Sequence, residues 1–380
     1  MLILSTIAGI VIILAILLDA FETVVLPRRV TRHFRLTALF YRNTWRPWAR
    51  LAQLIPLPAR REAFLGYFGP LSLIFLLALW AAGLILGFAL LQYGAGQHLH
   101  LGNEAVDFWV VLYSSGETFF TLGYGDVVPI AGLSRMLAVL EAGMGFAFLG
   151  VVIGYLPTIY SAFSRREIQI SLLDARAGSP PTAAELLTRF GKCPQQGVLD
   201  QILRDWERWA AEVLESHLSY PVLSFFRSQH NNQSWLGALT MILDSSALII
   251  AGVDGIAEHQ ARLTFAMARH AVVDLAQVVN ARHHPFAKDR LAAEELTRLR
   301  ETLVTRGLRL RDDAEAEQKL SYLRSQYEPY AQAIARRLFI TLPPWMHADK
   351  KKDNWQAGPW DRAIQARSLG ERVQRMDDHF

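Results

Sequence analysis

The sequence predicts an all-α membrane protein followed by an all-helical cytoplasmic domain, on three observations. Apolar residues make up 52% of the 380 residues, and their excess lies before residue 165. There they form three runs, each long enough for the about 20 apolar residues that cross a bilayer. A short semi-apolar piece and a glycine-bearing strip, ETFFTLGYGDVVP, lie between the second and third runs. Beyond residue 165 the apolar spacing becomes that of amphipathic helices. The expected order is an extra N-terminal transmembrane helix (1–27), a basic cytoplasmic connector (28–67), a two-span unit with a re-entrant helix between its spans (68–163) and a helical cytoplasmic domain (164–380).

The first run, Leu2 to Leu26, lacks a basic n-region and an Ala-x-Ala site, so it reads as a retained anchor rather than a signal peptide. Asp19 and Glu22 lie one turn apart near its inner end. They suit a docking or sensing site against the later spans, or snorkelling toward the interface with Arg28 or Arg29 as partners. The second run, Phe68 to Tyr93, has no charged residue, and the third, Leu133 to Phe163, has Glu141 as its only acid.

Orientation follows from arginine. The connector carries Arg28, Arg29, Arg32, Arg35, Arg42, Arg46, Arg50, Arg60 and Arg61 and no acid up to that point, so it is expected in the cytoplasm. The N-terminus is then outside, the loop from Gly94 to Asp107 faces outside, and the third run returns to Arg165 and Arg166. A nucleic-acid patch is the other reading of these arginines, and their place between two spans argues against it. No span repeats arginine at every third position, so no voltage sensor is read.

The strip raises a question of chemistry. A dehydrated cation needs several oxygens in place of its water shell, and backbone carbonyls supply them without full charge. Turning successive carbonyls to one axis takes conformations that glycine permits and most residues do not. Irregular backbone at membrane depth is tolerated where it is buried in protein or lines an aqueous path. Thr121, Leu122, Gly123, Tyr124 and Gly125 meet these demands. The carbonyls of Thr121 to Tyr124, with the Thr121 hydroxyl, would stack as oxygen rings when several chains meet, with the Tyr124 ring bracing the strip against the re-entrant helix. A single strip cannot enclose an ion, so closed rotational symmetry is required.

At this point the sequence resembles the pore domain of tetrameric potassium channels over roughly residues 68–163. The family's filter is usually Thr-Val-Gly-Tyr-Gly, and Leu122 replaces its valine here. The resemblance implies a homotetramer in membrane lipid, K+ as the permeant ion held at Thr121, Leu122, Gly123 and Tyr124, and no other cofactor. It implies filter support from Glu117, Thr118 and Asp126. Thr118 matches the family's Thr-x-x-Thr spacing, and Tyr113 a common aromatic position. Ser114 stands where many members carry a second aromatic. Glu117 and Asp126 are expected to share a proton across the filter and tune its inactivation; the other reading has Glu117 on a buried water or a hydroxyl.

On the third run, Gly145 matches a common bending point of inner helices, and Pro157 removes a helical hydrogen bond near the cytoplasmic end. Both are hinge candidates, although glycines here also suit close helix packing. Glu141, an acid inside the membrane, could face the cavity or pair with a neighbouring re-entrant helix.

The C-terminal half carries less chemistry. Val198, Ile202, Trp206, Trp209 and Val213 form one apolar face, and Leu320, Leu323, Tyr327, Tyr330 and Ile334 another, read as an intradomain core rather than a coiled coil. Pro180-Pro181, Pro194, Pro221, Pro285 and Pro343-Pro344 punctuate it. Trp235 to Val253 reads as a buried bundle helix rather than a fourth span. His259 and His270 lie about 16 Å apart by helical rise, too far to share a metal. His283-His284 reads as a helix-end loop, Lys350 to Lys352 as a solvated tail, and Cys193, the lone cysteine, as a bystander. No Rossmann fingerprint appears, so the gating ligand is unknown.

The function expected is a potassium-selective channel with passive conduction, gated at the inner helix by the cytoplasmic domain, in the plasma membrane or a bacterial inner membrane. A weakly selective cation channel, or a non-conducting receptor or scaffold on the same fold, is the alternative. With no nucleophile elbow, phosphate loop or metal-ligand cluster, an enzyme is not expected.

Overall fold

The computed structural model describes residues 2–26, 35–96, 99–100, 106–190, 197–230, 232–283, 289–347, 355 and 360. Arg28, Arg29, Arg32, Cys193, Pro194, His284, Pro285 and Lys350 to Lys352 lie outside the described residues. The chain forms two compact units, Met1–Phe163 with Ser216–Phe226, and Ser164–Glu215 with Arg227–Phe380.

In the first unit, α1 (Leu2–Ala20) ends in a π-helical turn, Phe21–Val25. Next come α2 (Leu36–Gln53) in the connector and α3 (Pro58–Gly94), the outer span. The outer span begins helically at Pro58 rather than Phe68, with proline in the first turn, where its missing N–H has no helical partner to lose. A two-residue strand β1 (Leu99–His100) pairs antiparallel with β2 (Val128–Pro129), which bounds the strip. Between them lies the re-entrant helix α4 (Phe108–Phe119), and after them α5 (Gly132–Ala177), the inner span, which stays helical through Pro157 and whose residues from Ser164 on belong to the second unit.

Small residues decide how α1 meets α3. A Cβ built on Gly9 would lie 2.6 Å from the carbonyl oxygen of Gly87, and one on Gly87 would lie 2.6 Å from Ile13. Without side chains there, the two backbones come into contact, and membrane helices associate largely through such close packing. The outward face of α1, with Ile3, Leu4, Ile7, Val11 and Leu14, stays exposed, as a lipid-facing surface requires.

The inner end of α1 is polar and buried. Asp19 is fully buried and accepts the Thr37 N–H (3.1 and 3.2 Å to its two oxygens), the Thr37 hydroxyl (2.6 Å) and the Trp80 indole N–H (3.1 Å). Its carboxylate therefore sits at the N-terminus of α2, where exposed N–H groups and the helix dipole favour an anion. Glu22 lies 3.6 Å from Arg35. Asp19 thus docks three segments together and does not snorkel. The apolar face of α2 packs through aromatic rings: Trp45 meets Phe68 at 4.8 Å and Phe225 at 5.1 Å, and Trp48 stacks on Phe64 at 4.4 Å.

The second unit is helical. Its helices are α6 (Ala183–Phe190), α7 (Val198–Ser219), whose last residues belong to the first unit, α8 (Trp235–Gly252), α9 (His259–Val278), α10 (Ala293–Thr305), α11 (Ala314–Ser325) and α12 (Glu328–Leu338). Length and composition would let α8 cross a membrane, yet its residues from Trp235 to Ala251 are buried within the unit. The Leu320 to Ile334 face is split between α11 and α12, because Pro329 opens a new helix. Leu320, Leu323, Tyr327 and Ile334 are buried, whereas Tyr330 is 39% exposed.

Asp244, at the polar centre of α8, is paired, while the neighbouring Ser246 hydroxyl is buried without a partner among the described residues. Asp244 accepts Arg290 (2.6 and 3.1 Å) and the Tyr327 hydroxyl (2.5 Å), and Arg290 also reaches Glu328 (3.2 Å) and the Pro343 carbonyl (2.8 Å). The guanidinium groups of Arg290 and Arg324 each lie 5.6 Å from the Trp345 ring. Burial raises the Glu328 carboxyl above its ordinary range, against the pull of Arg324 and Arg290. Burial and the Asp244 charge push the Tyr327 hydroxyl well up.

Candidate functional site

The strip hangs from the end of α4. Asp107 caps the start of that helix, accepting the Val110 N–H at 2.9 Å. At the other end the Phe120, Thr121 and Leu122 N–H groups donate to the carbonyls of Gly116 (3.0 Å), Thr118 (3.1 Å) and Glu117 (2.9 Å). The helix dipole leaves its negative end here, beside the strip.

The backbone then alternates in hand. Thr121, Gly123 and Gly125 take φ of +55°, +68° and +77°. A Cβ on Gly123 or Gly125 would meet nothing of its own chain within 4 Å, so within the chain it is the conformation that calls for glycine. Thr121 takes the same hand with a branched side chain, at a cost that surrounding contacts must hold.

Glu117 holds the two amides at the far end of the strip. Its Oε1 accepts the Tyr124 N–H in a short hydrogen bond and the Gly125 N–H at 3.3 Å. Successive N–H groups around one carboxylate form an anion-binding nest. In a trans peptide the N–H and the preceding C=O point in opposite directions. The Tyr124 and Gly125 N–H groups point to the Glu117 carboxylate and the Leu122 N–H to the Glu117 backbone carbonyl, so the carbonyls of Gly123 and Tyr124 turn away from the carboxylate and that of Thr121 from the helix end. Glu117 is buried and residues 121–126 are exposed. The three oxygens are thereby presented on the open side of the strip.

Asp126 takes other partners: its Oδ2 accepts the Tyr113 hydroxyl (3.1 Å) and its Oδ1 the Val127 N–H (3.0 Å). The expected carboxyl pair of Glu117 and Asp126 is therefore not formed. Glu117 lies behind the strip on its amides, and Asp126 lies beyond it on Tyr113. The Tyr124 ring, 70% exposed, is not covered by α4 of its own chain.

Close contacts hold α4 against α5, the rings of Phe119 and Phe148 at 5.8 Å among them. A Cβ on Gly145 would run into the carbonyl of Phe119, so glycine here admits the end of α4. One turn earlier on both helices, Ser115 hydrogen-bonds Glu141, and its hydroxyl also lies 2.7 Å from the Ile85 carbonyl of α3. Ser115 and Glu141 are buried. Glu141 pairs with the re-entrant helix of its own chain. Neither Ser115 nor Phe119 stood out in the sequence, since nothing local marks a serine or a phenylalanine as the seat of a neighbouring helix.

Among the described residues no group of three or more His, Cys, Asp or Glu could hold a metal ion. His270 pairs with Asp274 at 3.4 Å. The oxygens available to a cation at the strip are those of the backbone and of Thr121.

A fold of apolar spans around a re-entrant helix defines an integral membrane protein. A family model described as ion channel matches residues 74–161. Protein LctB of Geobacillus stearothermophilus is 31% identical over 93 residues, 22% of this chain and 69% of that protein. The uncharacterized membrane protein YdjJ of Bacillus subtilis is 22% identical over 188 residues, 49% of this chain. The match spans 54% of YdjJ, about half its length. No solved structure matches the chain. The chain belongs to the ion channel family.

Proposed function

We propose that the chain is a potassium-selective channel in which four copies surround one axis and present the Thr121 to Gly125 strips to it. The observation that carries this reading is the hold of Glu117 on the strip amides, which leaves the carbonyls of Thr121, Gly123 and Tyr124 on the open side. Four such strips supply rings of oxygens in place of a water shell. Conduction is passive, and residues 164–380 act on the inner helix as the gating domain. The N-terminus is outside, residues 164–380 are cytoplasmic, and the membrane is the plasma membrane of its cell.

Flux through purified protein in liposomes tests this. Potassium flux exceeding sodium flux and blocked by barium is the expected result. Equal sodium flux would favour the weakly selective reading, to which Leu122 in the strip points. No flux, either from the full chain or with residues 165–380 removed and the assembly intact, would favour a non-conducting scaffold.

A further inference from the structure

Proton counting at Ser115 sets a further problem. Its single hydroxyl proton faces two oxygens, the Ile85 carbonyl at 2.7 Å and Glu141 Oε1. One proton shared between two acceptors serves each poorly. The Ile85 carbonyl brings none, so two full hydrogen bonds at this hydroxyl need a second proton from Glu141.

We propose that Glu141 is a neutral carboxylic acid that donates to Ser115 while Ser115 donates to Ile85, and that this proton-held bridge positions the re-entrant helix behind the filter. It joins the three helices α5, α4 and α3. Ser115 precedes Glu117 by two residues on α4, so the bridge fixes the helix that carries the grip on the Tyr124 and Gly125 amides. Glu141 acts through Ser115 and touches no ion; it is a positioning residue. Loss of the proton would leave a buried carboxylate competing with a carbonyl for one hydroxyl.

Five titratable groups on these elements take other partners. On α4, Tyr113 donates to Asp126, and Glu117 accepts the filter amides. On α5, Arg135 donates to the Pro129 carbonyl near the outer end. Tyr93 on α3 packs against Phe108, and Tyr155 on α5 against Tyr220.

The inference deepens the channel reading, yet its first test does not depend on conduction. Infrared spectra of the full chain in liposomes at neutral pH read protonated carboxyl groups directly. A protonated-carboxyl C=O band that disappears in Glu141→Gln and shifts in Ser115→Ala is expected. An unchanged band in Glu141→Gln would overturn the proposal, whether or not the protein conducts. The second test is barium-blocked potassium flux against pH. The wild type is expected to lose flux as pH rises, while Glu141→Gln, whose amide still donates to Ser115, keeps it. Identical pH profiles, or equal loss of flux in Glu141→Gln and Glu141→Ala at neutral pH, would overturn it. Absence of flux in every variant with the band present would refute the channel reading and leave the proton bridge standing.

Discussion

Glu117 Oε1 accepts the N–H groups of Tyr124 and Gly125 from behind the strip, and that relationship turns the strip's carbonyls outward. Glu117→Ala removes the acceptor from two amides, each costing about 1–3 kcal/mol if left unpaired. The expected outcome is a tetramer that still assembles but loses discrimination between potassium and sodium in liposome flux. Glu117→Gln keeps an oxygen acceptor and is expected to lose less.

Gly145 and Phe119 make a contact between a missing side chain and a backbone carbonyl. Backbone cannot give way as a side chain does, so Gly145→Val should cost about 1–3 kcal/mol or more through overpacking. Thermal unfolding of the purified assembly checks the cost. A hinge without this contact would instead leave unfolding unchanged and alter opening alone.

Asp19 collects three donors in a buried site. Asp19→Ala strands the Thr37 N–H and the Trp80 indole, at about 1–3 kcal/mol for each donor left unpaired, while the Thr37 hydroxyl keeps the Thr23 hydroxyl at 3.1 Å. The expected result is release of α1 from α3, read as new protease access to the 21–57 segment. Trp80→Phe removes one donor and should release less.

Much of this architecture was legible, for reasons that differ by residue. The left-handed backbone of Thr121 to Gly125 could be read because such conformations write themselves into glycines, and the spans because a bilayer demands length. The role of Glu117 was half legible: its place beside the strip could be read, while the sequence left its partner open between Asp126 and a buried water or hydroxyl. A carboxylate within reach of both amides and another acid is decided by geometry that spacing does not carry. Asp19 left two readings open because its partners, Thr37 and Trp80, lie 18 and 61 residues away. The break at Tyr327 was marked by Pro329, yet the apolar spacing of Leu320 to Ile334 runs smoothly across it.

In the second unit, Asp244 is fully buried against Arg290. Asp244→Ala leaves a buried guanidinium with reduced compensation, and breaking such a pair costs about 3–5 kcal/mol. A fall in the unfolding midpoint is expected. Asp244→Asn, which keeps an acceptor for Tyr327, should fall less.

Glu328 gives this unit a pH dependence. Its carboxyl is raised above the ordinary value of 4.5, first by burial. An acid raised by folding favours the folded state when protonated, so that contribution is present below pH 4.5 and lost as pH rises toward the folded value. Asp289, held below its ordinary 3.8 despite burial by Leu291 N–H and Arg324, acts in the opposite sense at lower pH. Unfolding against pH should therefore show a destabilising slope above pH 4.5 that Glu328→Gln removes.

The most direct test of the central claim is ion density on the symmetry axis. Crystals of the assembled protein grown with rubidium in place of potassium would reveal it by anomalous scattering. The account predicts peaks between Thr121 and Gly125, ringed by the carbonyls of Thr121, Gly123 and Tyr124, with Glu117 on the far side of each strip. An empty axis, or strips whose carbonyls face Glu117, would contradict it.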